Sequence, residues 1–387
     1  MKALELFCGI GGFRLATDRL GIETVWANDI NPLASVVYRS KFNPHNHIEG
    51  NIFDLFDAAP AHDLLTAGFP CQPFSAAGKK QGIADPRGTL FEAIVRILSS
   101  HRPGYFVLEN VKRLISMDSG THFATILASL AEKGYMVEWR VLNAKDFGLA
   151  QNRERIFIIG TRVDDVFAHG ADIRHLLRLL RPGDATGALG FSRNLLRRAS
   201  TWPSIHHHGT KFANWGVALN GRFVMASVPF FSESQPTVLL HDILEKNPPP
   251  EYDLTETTLP RLANNSPVNK FVGGVEILSN QAGGARMGYT IFGVNGLSPT
   301  LTASTSRHYE RYKVNETYRR LTPIEYARLQ GFPDNHCSIA RPYDQYTLYG
   351  NAAPPQMVEW VIRQAISEQR FEDLSNEENQ GELFNAE

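Results

Sequence analysis

A cysteine stands between two prolines in Gly68-Phe69-Pro70-Cys71-Gln72-Pro73-Phe74-Ser75, just where the apolar run Asp63-Leu64-Leu65-Thr66-Ala67 stops. Both prolines fix φ and remove an N–H donor, so neither a helix nor an inner strand runs through them; the stretch reads as a buried strand ending in a stiff loop. Such loops, at the carboxyl ends of strands, are where open α/β sheets carry chemistry. Cys71 is then either a small hydrophobe in a turn or a nucleophile. A second apolar run, Tyr105-Phe106-Val107-Leu108, ends in Glu109-Asn110-Val111, and a third stretch offers Gln151-Asn152-Arg153-Glu154-Arg155. Cys71, Glu109, Arg153 and Arg155 would meet at the ends of separate strands of one sheet. A thiolate adds to an electron-poor double bond, and a glutamic acid beside a ring nitrogen stabilises the resulting anion if its pKa is raised. Arginines supply fixed donors to a carbonyl or phosphate oxygen. Taken singly, Glu109 with Asn110 can instead cap a strand end, and the arginines can form a surface ion-pair cluster with Glu154.

These residues need a scaffold, and the chain supplies one from its first residues. Lys2 to Phe7 reads as a strand, Cys8-Gly9-Ile10-Gly11-Gly12 as a glycine turn and Phe13 to Leu20 as a helix. Glycines allow close backbone approach to a ligand and expose helix N-terminal amides, as in nucleotide-like cofactor sites, although a plain tight turn fits the same residues. The next strand, Thr24 to Ala27, ends at Asn28-Asp29, ahead of a helix from Pro32 to Arg39. Asp29 is placed either to accept from a ribose diol or to cap that helix. Strand and helix patterns alternate over some 160 residues, which predicts a largely parallel, doubly wound α/β sheet with antiparallel strands at one edge. The polar loop from Cys71 to Arg87 has the length of a functional or mobile segment.

Composition sets the outer bounds. The chain has 387 residues, 43% of them hydrophobic, and a formal charge of −1, which suits a globular protein of two domains and permits a basic cleft without a uniformly basic surface. No apolar run reaches the ~18 residues of a membrane span, and Met1-Lys2-Ala3-Leu4 shows no signal-peptide pattern. The three cysteines, Cys8, Cys71 and Cys337, lack metal-ligand spacing, so a reducing cytoplasm is expected, with neither disulfides nor a metal. Beyond about Thr161 Pro, Gly, His and Arg become frequent, predicting a loop-rich second domain. The last stretch, Phe371 to Glu387, is acidic and polar and is expected to be disordered.

The sequence resembles the cytosine-C5 DNA methyltransferases that use S-adenosylmethionine. The likeness rests on Leu4-Glu5-Leu6-Phe7-Cys8-Gly9-Ile10-Gly11-Gly12-Phe13-Arg14, the Gly68 to Ser75 stretch, Glu109-Asn110-Val111, Gln151 to Arg155, Arg320-Leu321-Thr322-Pro323, Gln330-Gly331-Phe332-Pro333 and Gly350-Asn351-Ala352. It implies a Rossmann-like catalytic domain from 1–162 plus 346–370 and a smaller target-recognition domain from 163–345. Cys71 would add to C6 of a flipped-out cytosine, Glu109 would hold N3, Arg155 would bind O2 and Arg153 would order the site; the Gln72 to Arg87 loop would close over it. S-adenosylmethionine would lie along Phe7, Gly9, Ile10 and Gly11, with Asp29 on the ribose, Ile30 on the adenine, and Asn51 and Ile52 beside it. Pro70, Leu90, Asn351 and Ala352 would complete the pocket, which brings the last helix back onto the first domain. Asn51 stands where the family often has aspartate, and Cys8 replaces a small residue as packing. Gln72, Ser75, Gln281, Arg286 and Arg307 would contact double-stranded DNA, reading bases or holding phosphates, unless they belong to ordinary solvated loops.

The implied function is methylation of a short DNA site in a bacterial restriction-modification or other anti-phage system, with companion defence proteins and a cytoplasmic, nucleoid-associated location. An RNA cytosine methyltransferase shares this chemistry. A non-catalytic DNA-binding relative would lack Cys71, Glu109 or the arginines, and an NAD-dependent thiol enzyme would leave Gly350-Asn351 unexplained.

Overall fold

The computed structural model describes residues 1–70, 90–162, 201–229, 238–262, 265–281, 290–302 and 310–366, apart from the side chains of His207, Arg261 and Gln281. Its larger sheet has nine strands: β1 (Lys2–Leu6), β2 (Glu23–Asp29), β3 (His47–Glu49), β4 (Leu64–Gly68), β5 (Tyr105–Val111), β6 (Tyr135–Asn143), β7 (Glu154–Arg162), β8 (Trp215–Leu219) and β9 (Arg222–Ala226). The order is β3-β2-β1-β4-β5-β7-β6-β8-β9. β3, β2, β1, β4 and β5 run parallel, while β7, β6, β8 and β9 are antiparallel to their neighbours. The order reverses between β1 and β4, and there a doubly wound sheet opens a crevice at its carboxyl ends. Covered on both faces, the inner strands are nearly continuous apolar runs, the pattern expected of parallel strands.

Helices α1 (Gly12–Arg19), α2 (Pro32–Lys41), α3 (Leu90–His101) and α4 (Thr121–Ala131) cover the sheet. α2 starts at Pro32 because Asn31 accepts from the amides of Leu33 and Ala34, satisfying two of the donors a helix start leaves open. The second sheet has the order β10 (Asn265–Val272), β11 (Val275–Gln281), β12 (Thr290–Phe292), β13 (Arg311–Val314) and β14 (Thr317–Arg319). After it come α5 (Pro323–Leu329), α6 (Pro342–Asn351) and α7 (Pro355–Ile366). Thr322 and Glu325 form a capping box at the start of α5.

The last helix returns to the first domain, as expected. Met357, Val358, Val361, Ile362 and Ala365 of α7 are buried in one cluster with Ala3, Phe13, Ala16 and Val107, each larger side chain contributing roughly 1.5–3 kcal/mol of burial. A second cluster joins Ile10, Ala34 and Val37 to Leu297, Leu301, Tyr326 and Tyr349. The second sheet, through Phe292 and Tyr312, therefore shares a core with the glycine turn and α2.

The stretch assigned from sequence to the second domain, 163–345, divides differently. Its residues 215–226 supply β8 and β9 of the large sheet, and the boundary at 346 falls inside α6. Trp139 of β6 explains the extra strands: a Cβ on Gly216 would lie 2.1 Å from its ring, so only glycine lets β8 come alongside. Phe123, Trp139 and Phe212 then stack edge to face beneath it.

Candidate active site

The glycine turn leaves β1 through three left-handed residues, Phe7 (φ 53°), Gly9 (φ 53°) and Gly11 (φ 87°). Phe7 has a Cβ and tolerates that conformation at a cost of about 1–3 kcal/mol. Gly9 has no other heavy atom within 4 Å of a Cβ position, so its face is open, whereas a Cβ on Gly12 would lie 2.3 Å from the Ala353 carbonyl oxygen. The turn is held on both sides. Asp29 Oδ2 accepts from the Gly9 amide at 2.8 Å, and His336 Nε2 donates to the Ile10 carbonyl at 2.7 Å. Asp29 Oδ1 takes the Asn31 amide, so Asn31 and not Asp29 caps α2. A carboxylate has about four acceptor positions, and Asp29 retains capacity toward the cleft that it lines.

That cleft has a volume of about 510 Å³. Phe7, Gly9, Ile10, Asp29, Ile30, Pro70, Leu90, Asn351 and Ala352 line it, and so do Glu109, Arg153 and Arg155. Three candidates from the sequence stand off the lining. Gly11 faces the Phe42 and Tyr38 rings. Ile52 is buried in the core, and exposed Asn51 accepts from the Phe53 amide at 3.2 Å as the cap of a short helical turn. Ile30 is 66% exposed, an apolar side chain left open at the cleft.

Glu109 of β5 and Arg155 of β7 form an ion pair, Oε1 to Nε 2.9 Å, with both side chains largely buried. Burial pushes the Glu109 carboxyl above the usual carboxylate range, while Arg155 and then Arg153 pull it back. Burial likewise lowers Arg155, opposed by Glu109. Arg155 Nη1 bonds the Glu154 carbonyl, which leaves Nη2 without a hydrogen bond to any described residue. Gly68 pairs with Glu109 across β4 and β5, and its missing side chain leaves the carboxyl approachable.

Cys71, Gln72, Ser75, Arg286, Arg307, the Gln281 side chain, the loop up to Arg87 and the acidic tail lie outside the described residues. The chain reaches Cys71 directly from Pro70, which lines the cleft. Asn110 holds that approach: buried, it donates from Nδ2 to the Phe69 carbonyl at 2.9 Å and accepts from the Val111 amide. It was legible in the sequence only as a possible strand cap. Arg153 is 1% exposed and donates to the carbonyls of Leu301, Gly350 and Ala352. It is a buried tie, unlike the surface ion pair that the sequence also allowed.

The site brings together a glycine turn opening on a cleft, an acid at the end of the second strand, and an acid–guanidinium pair beside the chain leading to a cysteine. A family model described as C-5 cytosine-specific DNA methylase matches residues 1–367. The Type II methyltransferase M.Sau3AI of Staphylococcus aureus is 30% identical over 417 residues, covering 98% of each chain. M.NlaX of Neisseria lactamica is 31% identical, covering 94% of this chain and 95% of that one. M.NgoBI of Neisseria gonorrhoeae is 48% identical over a shorter match, 41% of this chain and 50% of that one. Among solved structures, the Dnmt2 methyltransferase of S. pombe shares the fold with a TM-score of 0.59 at 20% identity, over 95% of this chain and 98% of that one.

Proposed function

Because the chain belongs to the C-5 cytosine-specific DNA methylase family, whose methyl donor is S-adenosylmethionine, we propose that its cleft holds that donor against a cytosine drawn out of duplex DNA, and that Cys71 is the nucleophile. The observation that carries this reading is the buried Glu109–Arg155 pair in the same cleft as the glycine turn.

The donor fits the residues present. Gly9 leaves open space where a side chain would stand, Asp29 has acceptor capacity for a ribose diol, and the exposed face of Ile30 suits an adenine ring. Bound there, it supplies an electrophilic methyl group. Gly11 serves the turn by conformation; Asn51 and Ile52 act from behind the wall, shaping the strand end.

The Cys71 thiolate adds to C6 of cytosine, forming an S–C bond and moving electron density onto C5, N3 and O2. Glu109, whose hold on a proton is strengthened by burial, donates to N3 as the charge develops, and Arg155 donates to O2, stabilising it. C5 takes the methyl group, its proton leaves to solvent base, and the C6–S bond breaks to return the thiolate. The net change is one methyl transferred and one proton released. Arg153 orders the site through its bonds to the Leu301, Gly350 and Ala352 carbonyls, and Gln72, Ser75, Gln281, Arg286 and Arg307 contact the DNA. The base must leave the stack because C5 and C6 are inaccessible within it.

The likeness to Type II methyltransferases supports a role in marking self DNA for a companion nuclease in the bacterial cytoplasm. Bisulfite sequencing of DNA from a host without cytosine methylation tests the activity. One short motif methylated with the intact protein, and none with Cys71→Ala, is the expected result; no methylated motif from folded protein would overturn the reading.

A further inference from the structure

Arg153 spends its guanidinium on three carbonyls from two distant parts of the chain. Nη1 donates to Leu301 at 2.9 Å, and Nη2 donates to Gly350 at 2.9 Å and Ala352 at 3.1 Å. Gly350 and Ala352 flank Asn351 in the cleft wall. Leu301 ends a segment zipped onto the chain just before Arg153. The Ser298 amide donates to the Ala150 carbonyl, the Asn152 amide donates to the Ser298 carbonyl, Thr300 Oγ1 donates to the Asn152 carbonyl, and the Leu301 amide donates to Gln151 Oε1. Beyond Thr302 the same segment leads to Arg307. A second buried chain runs alongside: Gln151 Nε2 bonds Gln330 Oε1 at 3.3 Å, and Gln330 bonds the Tyr349 carbonyl.

A planar guanidinium fixes its acceptors in a rigid fork, and buried carbonyls lose heavily when a donor leaves. The Leu301 segment and the Gly350–Ala352 wall therefore shift together or break buried bonds. We propose that Arg153 couples the segment 298–301 to the cofactor wall, so that DNA engaged through the second sheet and S-adenosylmethionine in the cleft strengthen each other's binding. Such coupling is reciprocal in binding free energy. It rests on the cleft being the cofactor site.

The test measures the dissociation constant of S-adenosylhomocysteine, a non-reacting probe, by calorimetry on the full chain. It is done alone, with a duplex carrying the motif found methylated in the host, and with a duplex lacking it. Taking the ratio cancels any loss of cofactor affinity that is merely structural. The intact protein should bind the probe at least about 5-fold more tightly with the cognate duplex. Arg153→Lys, whose ammonium cannot span the three carbonyls, and Thr300→Val, which removes the hydroxyl bond to Asn152, should bring the ratio toward one. If Arg153→Lys fails to fold by circular dichroism, Thr300→Val decides. A ratio of one in the intact protein, or an unchanged ratio in the folded variants, overturns the coupling. Absence of probe binding to the intact protein removes the cleft reading as well.

Discussion

Glu109 and Arg155 face each other at 2.9 Å across the ends of neighbouring antiparallel strands, where burial raises the acid and the guanidinium lowers it again. The balance suits a carboxyl that must hold a proton near a ring nitrogen. Glu109→Gln keeps the shape and loses the acid, so kcat should fall roughly a hundred- to ten-thousand-fold with the melting temperature little changed. In the kcat profile, the proton held by Glu109 is lost as pH rises. Removing the opposing charge with Arg155→Gln should therefore move the alkaline limb to higher pH as well as lower the rate.

Gly9 and Gly12 separate binding from stability. Gly12→Ala would drive its Cβ into the Ala353 carbonyl, 2.3 Å away, destabilising the protein by about 1–3 kcal/mol in urea titration. Gly9→Ala meets no atom within 4 Å and should cost about 1–2 kcal/mol, for its positive φ alone, while weakening cofactor binding measured by calorimetry.

Asn110→Ala removes the donor to the Phe69 carbonyl, leaving it unsatisfied at a cost of about 1–3 kcal/mol. Asn110→Asp is nearly isosteric yet presents an acceptor to an acceptor. Both should lower kcat more than they weaken the cofactor, because the loosened backbone leads to Cys71; the reverse order in steady-state kinetics would contradict this.

Glu5 lies within β1 and accepts from the Tyr38 hydroxyl at 2.9 Å. Burial pushes its carboxyl from an ordinary 4.5 up to about 8, against the hydrogen bond from Tyr38 and the charge of Arg14. Between these values the folded chain holds a proton that the unfolded chain has lost. Its contribution is thus full below pH 4.5 and is lost as pH rises through about 8. Glu5→Gln should remove that slope, on the order of 1.4 kcal/mol per pH unit across the window. Equal slopes for both proteins in denaturant titrations would refute it.

The candidate site residues were legible because their neighbours are unusual: prolines around Cys71, glycines after β1, and Glu109 ending an apolar strand. Buried parallel strands declare themselves as apolar runs, so the doubly wound core could be read as well. Contacts without a local pattern could not. His336 reaches the Ile10 carbonyl from 326 residues away, and Arg153 gathers Leu301, Gly350 and Ala352 from 148, 197 and 199 residues away. β8 escaped notice because its place depends on Gly216 passing Trp139. The cap that Asn51 supplies to the Phe53 amide carried no signal in the sequence beyond its residue type.

The most direct test of the central claim, that Cys71 adds to C6, is the intact mass of the protein after incubation with S-adenosylmethionine and duplexes carrying 5-fluorocytosine in place of cytosine. Fluorine cannot leave C5 as a proton does, so the adduct should persist through denaturation. The expected result is a mass increase that maps to Cys71 and disappears in Cys71→Ala. An adduct that survives in that variant, or one that maps to buried Cys8 or Cys337, would contradict it.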